Sequence, residues 1–280
     1  MAERDGIERL TNARREQDER HDEVVASIDA DTLRPIVRKI RARGSAVVSN
    51  WECHKIKGGI GGGHLLRVNG GSRYGEDTHY WSVVLKILRR GASRDQSQFG
   101  WRREVLAYQS GILDDLPGGM EAATCYQIDE KSDSEAWMWF EDLGGDPDAP
   151  WTTERYGLAA RHLGQFNGHY LNEPSLPSHR WQRDAMDREL EIPSSTAEKF
   201  LRMKDHPMIA IIYPSQMHDL IVHLFKKRNA YMERLFEQVP QTFGHMDAFR
   251  GNLFSRDHPD GMPSTGLLSG QGQLEKKPSC

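Results

Sequence analysis

The stretch Gly244-His245-Met246-Asp247-Ala248-Phe249-Arg250-Gly251-Asn252-Leu253-Phe254 contains the pattern His-x-Asp-x-x-x-x-Asn. In phosphoryl transfer a carboxylate so placed orients a substrate hydroxyl and accepts its proton. An amide oxygen five residues on can hold a metal ion on the nucleotide phosphates. The spacing suits a tight loop that brings Asp247 and Asn252 to one side. The same residues also read as a polar turn after Pro240 that runs into a short strand at Leu253-Phe254. The motif alone therefore does not decide.

Three other features bear on it. Lys86 lies inside the apolar run Val83-Val84-Leu85-Lys86-Ile87-Leu88. An ammonium there is costly without a partner. Nucleotide phosphates and a helix glutamate make such a partner set, and Glu104 on the next predicted helix is the candidate. Strand alternation could equally turn Lys86 to solvent, with Glu104 an ordinary surface residue. Upstream, Gly58, Gly59, Gly61, Gly62 and Gly63 sit between two predicted strands. Glycines let main-chain N–H groups approach phosphate oxygens closely, although a hairpin tip reads the same way. The cluster is neither a P-loop nor a dinucleotide fingerprint. Finally, Trp137-Met138-Trp139-Phe140-Glu141-Asp142-Leu143-Gly144-Gly145 is an apolar strand that enters a glycine connector. Main-chain groups there could hold an adenine edge.

The elements that must position these groups follow from periodicity. Residues 1–44 read as an N-terminal helical segment, solvated over 1–28, with Leu33, Ile36, Val37 and Ile40 at helical spacing and Gly44 as the stop. Residues 45–145 read as a β-rich lobe: an antiparallel meander with a turn at Asn69-Gly70-Gly71, a helix over Trp101–Leu113, and two more strands at 122–128 and 136–140. GGDPDAP (144–150) breaks the pattern. Residues 146–256 then read as a helical lobe. One stripe holds Tyr156, Ala159, Ala160, Leu163, Phe166, Asn167 and Tyr170, and another holds Met217, Leu220, Ile221, Leu224, Tyr231 and Leu235. Residues 257–280 are polar and rich in Gly, Ser, Gln and Lys, the composition of a disordered tail.

Composition removes several classes. The chain has 280 residues, 37 Lys+Arg against 41 Asp+Glu and a net charge of -4, so a broad nucleic-acid footprint is not expected. No apolar run is long enough for a membrane span, and the polar start lacks the core of a secretory signal. Three scattered cysteines give no disulfide framework, and a cytoplasmic setting fits. His162 and His169 share a helix without a third ligand, so a metal site there is not expected. There is no Gly-x-Ser-x-Gly elbow. Asp142, Asp146, Asp148 and Glu154 read as a solvated acidic loop.

The order of glycine loop, strand lysine, helix glutamate, Glu-Asp-Leu-Gly connector and His-x-Asp-x-x-x-x-Asn resembles the aminoglycoside phosphotransferase and choline kinase-like family over about residues 45–256. Ala159-Ala160-Arg161-His162-Leu163-Gly164-Gln165-Phe166-Asn167-Gly168 is similar to the first long helix of that family's second lobe. The resemblance implies an α+β, bilobal, protein-kinase-like fold: a small antiparallel β lobe with one helix, then a mainly helical lobe. It implies transfer of the ATP γ-phosphate to the hydroxyl of a small molecule that is aminoglycoside-, choline- or sugar-like. Asp247 would be the catalytic base and Asn252 an Mg2+ ligand. Lys86 would hold the α/β-phosphates, braced by Glu104, with Gly59, Gly61 and Gly62 over the phosphates. The main chain from Glu141 to Leu143 would receive adenine.

One expected element is missing. The family carries a short apolar strand after the Asn that ends in a metal-binding Asp, but no carboxylate follows Leu267-Leu268 directly. Asp257 and Asp260 come too early. The resemblance thus implies a fold incomplete at its C-terminus, from a shortened or frame-altered chain. It further implies weakened or absent turnover and uncovered apolar faces that favour self-association. The alternatives are a nucleotide-binding pseudokinase and a non-functional fragment.

Overall fold

The computed structural model describes residues 19–41, 47–56, 64–91, 99–144, 150–173, 176–184, 194–203, 206–245, 248–257, 263–267 and 274–278. They form an α+β structure of two compact units, residues 1–96 with 123–144 and residues 97–122 with 145–280.

In the first unit, Asp29 accepts hydrogen bonds from the Thr32 N–H at 2.8 Å and the Thr32 hydroxyl at 2.7 Å, an N-cap arrangement. Those bonds hold its carboxyl below the ordinary carboxylate value. The helix it opens (α2, Ala30–Arg41) puts Leu33, Ile36 and Val37 on one face, all fully buried. Each such burial stabilises by about 1.5–3 kcal/mol. A preceding helical segment over 19–27 (α1) adds Val24, with Ile28 following. The expectation of a solvated helix over 1–28 is corrected at this end: 24 and 28 are one helical turn apart, and both enter the core.

These helices cover one face of a five-stranded antiparallel sheet in the order β1-β2-β3-β6-β5. Its strands are β1 (Val47–Lys55), β2 (His64–Tyr74), β3 (Asp77–Arg89), β5 (Cys125–Ser132) and β6 (Glu135–Glu141), while β4 (Met120–Ala122) lies in the second unit. Leu66, Val68, Trp81, Val83, Leu85, Ile87, Trp137 and Trp139 pack on the covered face. The turn expected at Asn69-Gly70-Gly71 is instead the middle of β2, and the chain turns at Gly75, whose φ is 62°. Gly70 is opposite Trp81, and a Cβ there would stand 2.3 Å from the indole Cζ2. The glycine makes room for a cross-strand indole rather than a reversal.

In the second unit, a single 3-10 turn (Gly100–Arg102) leads into α3 (Arg103–Gln109), which ends before Gly111 at φ 75°. The helix predicted over 101–113 is therefore shorter, stopped by a left-handed glycine. Then come α4 (Thr153–Asn172), β7 (Arg183–Asp184), α5 (Ser194–Arg202), α6 (Pro207–Ile212), α7 (Ser215–Gln238), β8 (Gln241–His245), β9 (Leu253–Asp257), β10 (Pro263–Leu267) and β11 (Leu274–Pro278). Ala159, His162, Phe166 and Tyr170 are the buried face of α4, whereas Tyr156 and Ala160 of the expected stripe are exposed. In α7, Met217, Leu220, Leu224, Tyr231 and Leu235 are all exposed. The link among α5, α6 and α7 is half-buried Phe200, stacked on buried His218 at 4.6 Å and edge-on to Tyr213.

Within 257–280 the described residues 263–267 and 274–278 depart from the expectation of disorder, because they form two strands. β10 pairs antiparallel with β9 and parallel with β4, and β11 pairs antiparallel with β8 and parallel with β7. Main-chain hydrogen bonding, which composition does not report, makes these strands.

Candidate functional site

In the first unit, Lys86 sits on β3, the middle strand of the sheet, between Leu65 of β2 and Met138 of β6. It is only 8% exposed, so the solvent-facing reading does not hold. Leu85 and Ile87 belong to the helix-covered face; alternation therefore puts Lys86 on the opposite face. Val84 and Ser82 follow it on that face, and Arg67 is opposite Val84 on β2.

That face ends at the connector. Arg67 Nη2 donates to Asp142 Oδ1 at 3.1 Å, and its Nε lies 2.8 Å from Oδ2. The Ser82 hydroxyl donates to Oδ2 at 2.5 Å, and the Gly144 N–H donates to Oδ1 at 3.0 Å. Burial pushes the Asp142 carboxyl up, but Ser82, the Gly144 N–H and Arg67 outweigh it and hold the group below its ordinary value. Asp142 is therefore a pin between β2, β3 and the connector, not part of a solvated acidic loop. Next to it, the Glu141 N–H donates to Thr124 O at 2.9 Å, and the Glu141 carboxylate accepts from the Thr124 N–H at 2.6 Å. The Glu141 N–H is thus spent inside the sheet. A main-chain donor for a ring edge would have to come from further along, at half-buried Leu143.

In the second unit, Glu104 is half-buried in the first turn of α3. Asn252 is 8% exposed and ends a 3-10 turn, Arg250–Asn252, whose last N–H bonds Phe249 O at 2.8 Å. The strand that leads towards this turn, β8, is buried on α4. Phe243 packs on Tyr170 and Phe166 with centroids 5.0 and 6.2 Å apart, and the Thr242 hydroxyl donates to Asn167 O at 2.8 Å. On the same buried face of α4, one turn nearer its N-terminus than Phe166, His162 Nδ1 and Thr265 Oγ1 of β10 are 2.9 Å apart. Burial, then Arg161, holds this imidazole below its ordinary value. Gly118 and Gly119, both near φ 74°, let the chain pass against α4, because a Cβ at Gly118 would stand 2.7 Å from Phe166 N.

Lys86, Glu141 and Leu143 thus belong to the first unit, and Glu104 and Asn252 to the second. Asp247, Gly59, Gly61 and Gly62 lie outside the described residues. Sequence reasoning missed the Asp142 pin, the His162–Thr265 tie and the Arg103 Nε bond to Trp181 O at 2.8 Å. Arg67 and Ser82 stand on neighbouring strands at matched parity, a signal visible only once the register is known. For a divalent cation the described residues supply one neutral donor, Asn252, and no cluster of three His, Cys, Asp or Glu side chains. They do not make a cation site by themselves. Asp257 stands at the end of β9 away from Asn252. It pairs with Pro263, at the opposite end from Leu253, about 13 Å along the strand.

No protein-family model matches the chain, and no curated protein matches it. It is similar in structure to the GDP and kanamycin complex of APH(2")-IIIa, with 11% identity over 87% of this chain and 74% of that one and a TM-score of 0.47. It is also similar to the GDP complex of a mutant aminoglycoside 2'-phosphotransferase IIIa, with 12% identity over 89% and 74% and a TM-score of 0.48. Likeness at this level bears on neither the chemistry nor the substrate of this chain.

Proposed function

We propose that this protein is an ATP-dependent phosphotransferase of protein-kinase-like fold that moves the γ-phosphate to a hydroxyl of a small molecule. The observation that supports it most is Lys86, a buried lysine on the middle strand of the sheet, on the face the helices leave uncovered. A fixed ammonium in a site of low dielectric stabilises the charge of a polyphosphate far better than one in water. Lys86 holds the α/β-phosphates, braced by Glu104, with the main chain at Gly59, Gly61 and Gly62 over them. The Leu143 N–H and the Glu141 carbonyl meet the adenine edge, and the Asp142 pin fixes their positions.

Asp247 orients the acceptor hydroxyl. The acceptor oxygen bonds to the γ-phosphorus as the bond to the β-phosphate oxygen breaks. ADP departs with that electron pair, and the acceptor proton passes to Asp247. Asn252 offers one neutral oxygen. An accompanying Mg2+ would take most of its ligands from the nucleotide phosphates and water. The substrate is a small polar alcohol of the aminoglycoside, choline or sugar kind, met in the cytoplasm without a nucleic-acid or membrane partner. The exposed stripe on α7 favours self-association at high concentration, to be read by sedimentation.

The test is ATP consumption with product identification over a panel of aminoglycosides, choline and sugars. Turnover that falls about 10²–10⁴-fold in Asp247→Asn supports the proposal. Turnover unchanged by that substitution contradicts it. A second reading, a nucleotide-binding module without turnover, is favoured by the position of Asp257 at the far end of its hairpin. It predicts an ATP-induced rise in Tm that is independent of Mg2+, with no product.

A further inference from the structure

The strand that delivers the chain to Asp247 has an unusual neighbour. β8 lies at the edge of a sheet ordered β7-β11-β8, so among the described residues its only strand partner is β11. The register runs Leu274↔His245, Glu275↔Gly244, Lys276↔Phe243, Lys277↔Thr242 and Pro278↔Gln241. Thr242, Phe243, Gly244 and His245 are all buried. Buried main-chain N–H and C=O groups must be paired, and for β8 the ladder partners come from residues 274–278. α4 fixes β8 differently, through side chains: the Phe243 ring on Phe166 and Tyr170, and the Thr242 hydroxyl on Asn167 O. Side-chain packing holds a strand against a helix but leaves it free to slide or tilt in the plane of its own main chain. The ladder to β11 removes that freedom. It reaches His245, two residues before Asp247.

We propose that the C-terminal strand Leu274–Pro278 is a positioning element for the loop Asp247–Asn252: by pairing with β8 it sets where that loop begins. Residues 274–278 are therefore required for the geometry of the site through their main-chain pairing with β8. The kinetic part of this inference rests on the phosphotransferase reading; the structural part does not. Lys276 is the point to break. It is flanked on both sides, by Phe243 of β8 and Asp184 of β7, so a proline there deletes a ladder hydrogen bond whichever side its N–H serves.

The experiment compares the full chain, Lys276→Pro, Lys276→Val and a chain lacking 274–280. It reads amide hydrogen exchange over 241–245, then kcat and the KM for ATP. Exchange over 242–245 should accelerate about tenfold or more in Lys276→Pro and in the shortened chain. Adding a peptide of residues 271–280 to the shortened chain should restore protection. Lys276→Val, which keeps the N–H and favours strand, should match the full chain. Displacement of the loop should lower kcat about tenfold to a hundredfold while the KM for ATP stays nearly constant. Unchanged protection of 241–245 in the shortened chain overturns the inference, whatever the kinetics. Protection lost with kcat unchanged overturns the positioning role. If no version of the chain turns over ATP, the phosphotransferase reading fails, and the exchange result with its peptide rescue still decides whether β11 sets β8.

Discussion

The two units secure their candidate site residues in opposite ways. In the first, Lys86 stands on a strand whose neighbours, β2 and β6, pair with it over long continuous ladders, from Tyr74↔Asp77 to His64↔Ile87 and from Val83↔Glu141 to Arg89↔Glu135. β2 and β3 are joined by a tight turn, so that contact is local in sequence and its closure entropy is small. In the second, β8 finds its strand partner about thirty residues later in β11, and Asn252 ends a 3-10 turn rather than standing on a strand. A sheet buried on one face by α1 and α2 fixes a lysine by register alone. A short strand at a sheet edge needs both a helix and a distant strand to hold it.

The largest expected effects come from the residues that differ most in how they are held. Trp139 is fully buried beneath α2, its indole N–H bonded to Asp129 Oδ2 at 3.1 Å, and Phe243 is fully buried against α4. Trp139→Ala and Phe243→Ala should each cost about 3–5 kcal/mol in urea unfolding. The comparison sharpens in hydrogen exchange. Trp139→Ala should loosen β3 and β6, whereas Phe243→Ala should loosen β8 and the middle of α4. If each substitution loosened the other's strands equally, the contrast between a register-held and a packing-held site would be lost.

Next is the Asp142 pin. Asp142→Asn keeps the shape but removes the charge that Arg67 and Ser82 address, and should cost about 1–3 kcal/mol. Because its folded pKa is below the ordinary 3.8, the stabilisation is complete above that value. It is lost as pH falls through the folded pKa, and the variant should lack that part of the acid limb in equilibrium unfolding.

Much of this was legible in the sequence, and the failures share a cause. Leu33, Ile36 and Val37 were readable because a helix face repeats within a few residues. Lys86 was readable because a single charge interrupts an apolar run. Gly70 misled because its role depends on Trp81, a residue on another strand. β11 was invisible because Leu274-Glu275-Lys276-Lys277-Pro278 has no strand pattern of its own; its conformation comes from β8 and β7. Asp142 looked like loop charge because Arg67 is far away in sequence and near only in register. Where a residue's role is set by its own neighbours in the chain, composition and periodicity find it. Where a cross-strand partner sets it, they do not.

The smallest effect is a pH dependence that both units share. His64 is held below the ordinary 6.5 by burial and by His21, Lys55 and Arg89, and His162 by burial and Arg161. His21 Nδ1 stands 3.2 Å from His64 Nε2, across α1 and β2. With folded values depressed, the unfolded chain takes up protons first as pH falls. Stability is therefore full above about 6.5 and declines below it until the folded values are reached. Chemical unfolding between pH 7.5 and 5.5 should show that decline, and His162→Asn should flatten part of it.

The central claim concerns Lys86 and is tested most directly by ATP titration of the full chain and of Lys86→Met, followed by intrinsic tryptophan fluorescence. Binding should be saturable in the full chain and at least about tenfold weaker in Lys86→Met, the loss of one charge-assisted contact, with the Tm of the two free proteins nearly equal. Equal affinity for ATP in both, or no binding in the full chain, would contradict the account.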